Sequence, residues 1–157
     1  MNSATVRQGG IADLQTLTPL FLAYREFYGK QRDPQAALDF LRQRFERGDS
    51  VVFLAFEADT GVGFVQLYPS FSSAAMARTL ILNDLFVHEA HRRKGIARQL
   101  IASGMKYAEA AGAARMTLST GIDNTAAQAV YQSQGWRRDE AFRVYHWSPP
   151  TSPSFDS

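Results

Sequence analysis

The stretch that most restricts the fold is residues 78–101, "RTLILNDLFVHEAHRRKGIARQLI". Its first ten residues carry apolar side chains at both odd and even positions, the pattern of a strand buried on both faces. A basic loop and Gly95 follow, and then Ile96, Leu100, Ile101 and Ala108 recur at helical spacing as far as Gly112. A strand that runs directly into a helix returns to the same sheet as a parallel neighbour. The segment "ARMTLST", residues 114–120, supplies that neighbour. These residues therefore commit the chain to a mixed sheet with helices on its faces.

The rest of the pattern fits that frame. "ATVRQ" (4–8) predicts a short first strand, and Ile11, Leu14, Leu17, Phe21 and Tyr24 predict a helix to about Tyr28. Asp33 and Pro34 supply a cap and a first-turn proline for a second helix carrying Leu38, Leu41 and Phe45 and stopping near Gly48. Strands at 50–57 and 62–69 are joined by the turn formers Asp59, Thr60 and Gly61. After "SSAAMA" comes the central strand. Downstream, "NTAAQAVYQSQ" predicts a helix closed by Gly135, and "FRVYHW" (142–147) a last strand. The order is β-α-α-β-β-β-α-β-α-β, read as a single domain over 1–148 with a flexible tail at 149–157.

Composition narrows the chemistry. Lysine and arginine total 17 against 15 acidic residues, so no global field draws nucleic acid or anionic lipid, and any anion site is local. The chain has no cysteine, which removes disulfides, thiolate metal sites and cysteine nucleophiles. The three histidines, His88, His91 and His146, are too scattered for a metal site, so no metal is expected. The N-terminus lacks an apolar leader and no run is long enough to span a membrane, so the expected location is the cytoplasm.

The loop "HRRKGIAR" is the first place where chemistry can concentrate. A helix start turns free N–H groups and the positive dipole end outward, a ready anion site, and Gly95 and Ala97 leave room for close approach. Neither G-x-x-x-x-G-K-[ST] nor G-x-G-x-x-G is present. Arg92, Arg93 and Lys94 either decorate a helix start, where they oppose the dipole, or converge on an anion.

"NDLFVHEAHRRKGIARQLI" resembles the acetyl-CoA loop of the GNAT N-acetyltransferase superfamily, [RQ]-x-x-G-x-[GA], here Arg92 to Ala97. "LSTGIDNTAAQAVYQSQGW" resembles that superfamily's second segment, N-x-x-A-x-x-x-Y-x-x-x-G-[WF]. With the element order, the likeness spans residues 4–147. It implies an α/β fold with a central mixed sheet of six to seven strands and about four helices. A splayed cofactor cleft is implied between the fourth and fifth strands.

The same resemblance implies that Leu85, Phe86 and Val87 bind the pantetheine arm of acetyl-CoA through backbone groups, as an added strand does. It places Arg92, Arg93, Lys94, Gly95, Ile96, Ala97 and Arg98 around the pyrophosphate. Asn124 and Tyr131 lie two helical turns apart on one face with Ala127 between them. Locally they read as an N-cap and a core aromatic; the resemblance makes Asn124 a cofactor contact, Ala127 the small residue beside the arm, and Tyr131 the general acid for the CoA thiolate. Homodimers are also implied.

Acetyl transfer to an amine requires the neutral base. A lysine-like amine is about one part in a few thousand neutral at pH 7, a penalty of roughly 4.6 kcal/mol, so a group must take its proton. The resemblance to polyamine-type members places acidic residues at the positions of Asn83 and Asp84. Asn83 cannot act as a base, so Asp84, acting through water, is the candidate, with Glu26 on the first helix another and with the alternative that Asp84 only orients its neighbours. "AYREFYGK" and "QLYPSFSS" resemble a subgroup that includes yeast enzymes acting on polyamines, histone lysines or D-amino acids. Tyr24, Phe27, Tyr28, Tyr68 and Phe71 could wall an acceptor pocket beside Asn83, with Glu26 attracting a cation; packing roles for these rings are the alternative. The acceptor expected is a small amine, polyamine or amino acid. Protein-lysine or N-terminal acetylation and a non-catalytic CoA sensor are the competing readings.

Overall fold

The computed structural model describes residues 4–150, so the last seven residues of the expected tail lie outside it. The chain separates into two compact units, one running to Thr120 and the other starting at Gly121.

In the first unit, β1 (Thr5–Gln8) is followed by a turn of 3-10 helix and α1 (Leu14–Phe27), then α2 (Pro34–Arg47). Asp33 caps α2 by accepting the Ala36 N–H at 3.1 Å. Strands β2 (Val51–Glu57), β3 (Thr60–Ser72) and β4 (Ala77–Val87) form an antiparallel meander, and α3 (Ile96–Ala110) crosses to a two-residue β5 (Met116–Thr117). The sheet order is β1-β2-β3-β4-β5, with β5 parallel to β4 as a helix crossover demands.

Side-chain alternation assigns the two faces. Val52, Leu54, Phe64 and Phe86 pack with Leu14, Leu17, Leu20 and Phe21 of α1 and Leu41 of α2. On the opposite face, Leu67 lies beside Gly104 of α3 and Phe53 meets Tyr107 edge-on at 6.1 Å between ring centroids. Leu100 and Ile101 of α3 are fully buried.

Gly63 is where β3 and β4 approach most tightly. A Cβ there would stand 2.7 Å from the Phe86 carbonyl oxygen and 3.3 Å from Leu100 Cδ1. Gly63→Ala must push the end of β4 outward; overpacking of this kind costs about 1–3 kcal/mol. The expected result in a thermal melt is a Tm lower by roughly 3–10 °C. An unchanged Tm would mean that β4 yields there without cost.

Two features differ from the sequence expectation. The turn after β2 is Ala58–Asp59, because the ladder runs to Glu57↔Thr60 and absorbs Thr60 and Gly61; Ala58 takes the left-handed φ of 53°. The sheet also has five strands among the described residues, not six to seven. β5 is reduced to two residues, and "FRVYHW" forms no strand: Phe142, Val144, Tyr145 and Trp147 are all more than three-quarters exposed. Alternation alone does not make a strand, because a ladder also needs a neighbouring backbone to pair with.

In the second unit, α4 (Thr125–Ser133) starts at Asn124 and is followed by irregular chain from Gly135. The rings of Tyr131 and Trp136 lie 6.0 Å apart between centroids, and the Trp136 N–H donates to the Tyr131 carbonyl at 3.1 Å.

Candidate active site

β4 does two things in its eleven residues. Its pairing with β5 ends at Leu80↔Met116 and Ile81↔Thr117, so on that side Leu82 to Val87 have no strand partner among the described residues. On its other side the ladder to β3 is interrupted: Leu67 faces Leu82 and Gln66 faces Asp84, leaving Asn83 as the extra residue of a β-bulge. A bulge bends the strand and re-aims the side chains beside it. The open stretch includes the Leu85, Phe86 and Val87 backbone.

Asp84 is 4% exposed, on the face of the sheet covered by α1. Gln66 Nε2 donates to its Oδ2 at 2.6 Å, Asn83 Nδ2 donates to its Oδ1 at 3.1 Å, and the Tyr24 hydroxyl donates as a third bond. Burial pushes its carboxyl above the ordinary range, and those three bonds oppose the rise without cancelling it. Burial, then the Asp84 charge, holds the Tyr24 and Tyr68 hydroxyls protonated far above the usual tyrosine range. A buried carboxylate with a raised pKa, lined by neutral hydroxyls, has the character of a base poised to take a proton.

The aromatic residues predicted to line this region divide. Tyr24 touches Tyr28 edge-on at 5.0 Å and also meets Phe64 and Phe86, while Phe27 follows Tyr28 at 5.4 Å, half to two-thirds exposed. Phe71 does not join them. It lies five residues along β3 from Gln66, about 17 Å by strand rise, where Arg78 stacks on its ring near an open depression. Glu26 gives its carboxylate to Arg32 at 2.9 Å.

The loop cations are mostly engaged with protein groups. Arg92 turns back, donating from Nε to the Val87 carbonyl at 2.8 Å, and its guanidinium lies over the Phe27 and Phe86 rings. Lys94 pairs with Glu57 at 3.2 Å, and His91 shares that carboxylate at 2.9 Å. Burial raises Glu57, but these two partners outweigh it and hold the carboxyl below its usual range.

The backbone carries the fit to a phosphate. Arg93 at φ 66° and Gly95 at φ 79° are both left-handed, a kind of backbone reversal common in loops whose N–H groups hold anions. No side chain caps α3, and a Cβ at Gly95 would meet nothing within 4 Å, so the space beside the helix start is clear at that position. A helix start of this kind is a general anion site.

On α4, Asn124 Oδ1 accepts the Ala127 N–H at 3.2 Å, so the side chain is the helix cap. Ala127 and Tyr131 follow on the same helix. Sequence reading missed Gln66, Ser50 and Glu57. The available signal for Gln66 was a single polar residue inside "FVQLY", where its neighbours Val65 and Leu67 are fully buried.

Comparison with known proteins agrees with this geometry. The family model described as Acetyltransferase (GNAT) family matches residues 15–136. The uncharacterized N-acetyltransferase YhfO of Bacillus subtilis is 41% identical over 145 residues, 92% of this chain and 97% of its own length. The crystal structure of a probable acetyltransferase, also 41% identical, superposes with a TM-score of 0.89 over 94% of this chain and 99% of its own. An aminoglycoside N-acetyltransferase solved with CoA shares the fold at 21% identity and a TM-score of 0.76, covering 92% and 95%. The chain therefore belongs to the GNAT family of N-acetyltransferases, enzymes that use acetyl-CoA.

Proposed function

We propose that this enzyme acetylates the primary amine of a small molecule by direct attack on the thioester, with Asp84 as the base. The observation that carries this reading is a buried carboxylate two residues before Phe86, on the stretch of β4 that has no partner on its β5 side. The Leu85 to Val87 backbone and the amides of residues 93–98 would hold CoA, which brings the activated acetyl group. Arg92 fixes the end of β4, and Lys94 ties the loop to Glu57. Asp84 takes the ammonium proton, and Tyr24 and Tyr68, neutral and beside it, orient the incoming nitrogen. Tyr131 is assigned the proton for the departing thiolate on its match to the superfamily's second segment, and Asn124 and Ala127 border the arm on the same ground.

The aromatic surround of Asp84 suits an alkylammonium group. We therefore place the acceptor among polyamines, amino acids and lysine-like amines, the range of the yeast enzymes the sequence resembles. Relatives include aminoglycoside 6'-acetyltransferases of Salmonella, so aminoglycosides belong in the test. The test is thiol release from acetyl-CoA across polyamines, D- and L-amino acids, lysine analogues, aminoglycosides and histone peptides. Turnover is expected with at least one small amine. CoA binding with no turnover on any of them would overturn the reading.

A further inference from the structure

Gln66 is 1% exposed in the middle of β3, a place where an apolar side chain would ordinarily stand. Both ends of its amide are used. Ser50 Oγ donates to Oε1 at 2.7 Å, and Nε2 donates to Asp84 Oδ2 at 2.6 Å. Gln66 and Asp84 are also direct cross-strand partners, at the rung where the Asn83 bulge interrupts the ladder. The order of the chain matters. An ionised carboxylate only accepts, so it selects the N–H end of the amide, and the Ser50 hydroxyl donates to Oε1 and polarises that amide toward Asp84.

We infer that Gln66, anchored by Ser50, is a positioning residue that keeps the Asp84 carboxylate ionised and aimed during acetyl transfer. This rests on Asp84 serving as the base. A buried carboxylate needs charge-assisted donors to stay ionised, and no cation bonds to it among the interactions described. Its neighbours are the Tyr24 hydroxyl from α1, Tyr68 from β3 and the Asn83 amide from β4, while Arg44 and Asp49 act on Tyr68 with opposite signs. None of these carries a positive charge to Asp84 itself. The Gln66 amide lies closer to the carboxylate than the Asn83 amide does, at 2.6 Å against 3.1 Å, and Gln66 is itself 1% exposed.

The experiment follows the Asp84 carboxyl carbon by 13C NMR titration in the free enzyme, together with the pH profile of kcat/KM. Gln66→Met keeps the length and removes the donor; the Asp84 midpoint and the acid limb should both move up by about 1–2 pH units, the size of a hydrogen bond to a charged group. On the alkaline plateau kcat/KM should recover to within about tenfold of the parent. Ser50→Ala leaves the buried Oε1 without its donor, weakens the amide's hold on Asp84 and should give a smaller shift in the same direction. An unchanged midpoint in Gln66→Met makes Gln66 a packing residue and overturns the inference. If that variant does not fold, Ser50→Ala decides: an upward shift supports the anchored amide and no shift overturns it. A midpoint that moves while Asp84→Asn turns over normally would instead separate the two claims, retaining the positioning and removing Asp84 as base.

Discussion

Asp84→Asn should lower kcat/KM for the best amine acceptor by about 10²–10⁴-fold, the usual contribution of a positioned general base, with CoA affinity changed little. The parent enzyme should lose activity on acidification, because the base must be ionised, and its acid limb should lie above the ordinary carboxylate range. The same raised pKa makes a stability prediction of definite sign. Between the unfolded carboxylate value near 4 and the native one, the folded chain holds a proton that the unfolded chain has released, so parent stability falls as pH rises through that window. The asparagine variant has no such group. Its Tm minus that of the parent should therefore grow from pH 4 toward neutrality; a gap that stays constant would contradict burial of an ionised Asp84. The residue that costs stability is then the one turnover requires.

Tyr131→Phe is expected to be comparably damaging. The CoA thiol leaves with a pKa near 8.5, so an uncatalysed departure as thiolate is feasible at neutral pH but slower than one in which a proton arrives with it. A kcat reduced by about 10²-fold or more, with KM for acetyl-CoA nearly unchanged, is the expected signature of a group acting in the transition state. Rapid-quench measurement of a single turnover places the loss in the chemical step. Unaltered turnover in Tyr131→Phe would remove Tyr131 from the chemistry and leave α4 a binding element only.

Local patterns were legible in the sequence; long-range ones were not. The β4, loop and α3 unit is contiguous, so its strand, turn and helix can be read from neighbouring letters. Periodicity likewise located α1 and α2, whose caps at Asp33 and Gly48 stand where the residue types predict. The Gln66–Asp84 bond joins residues 18 apart and depends on a register set by a bulge, which no local pattern announces. The sequence offers Arg92 and Lys94 either a helix start to decorate or an anion to meet, whereas the groups they bond, the Val87 carbonyl and Glu57, are identified only by the fold. "FRVYHW" has strand composition without a strand, since a ladder needs a partner and composition does not supply one.

The extra residue at Asn83 sets the phase between the two halves of β4. Leu82 and Asp84 are two apart, a spacing that puts side chains on one face of a regular strand, yet Leu82 pairs with Leu67 on the α3 side and Asp84 with Gln66 on the α1 side. Straightening the strand at its present length would slip everything after residue 82 by one and turn Asp84 away from the face it shares with Tyr24. Deleting Asn83 would instead close the ladder with Leu82 still opposite Leu67 and Asp84 still opposite Gln66. Both layers of the core should survive that deletion, and what is lost is the bend and the Asn83 bond to the Asp84 carboxylate.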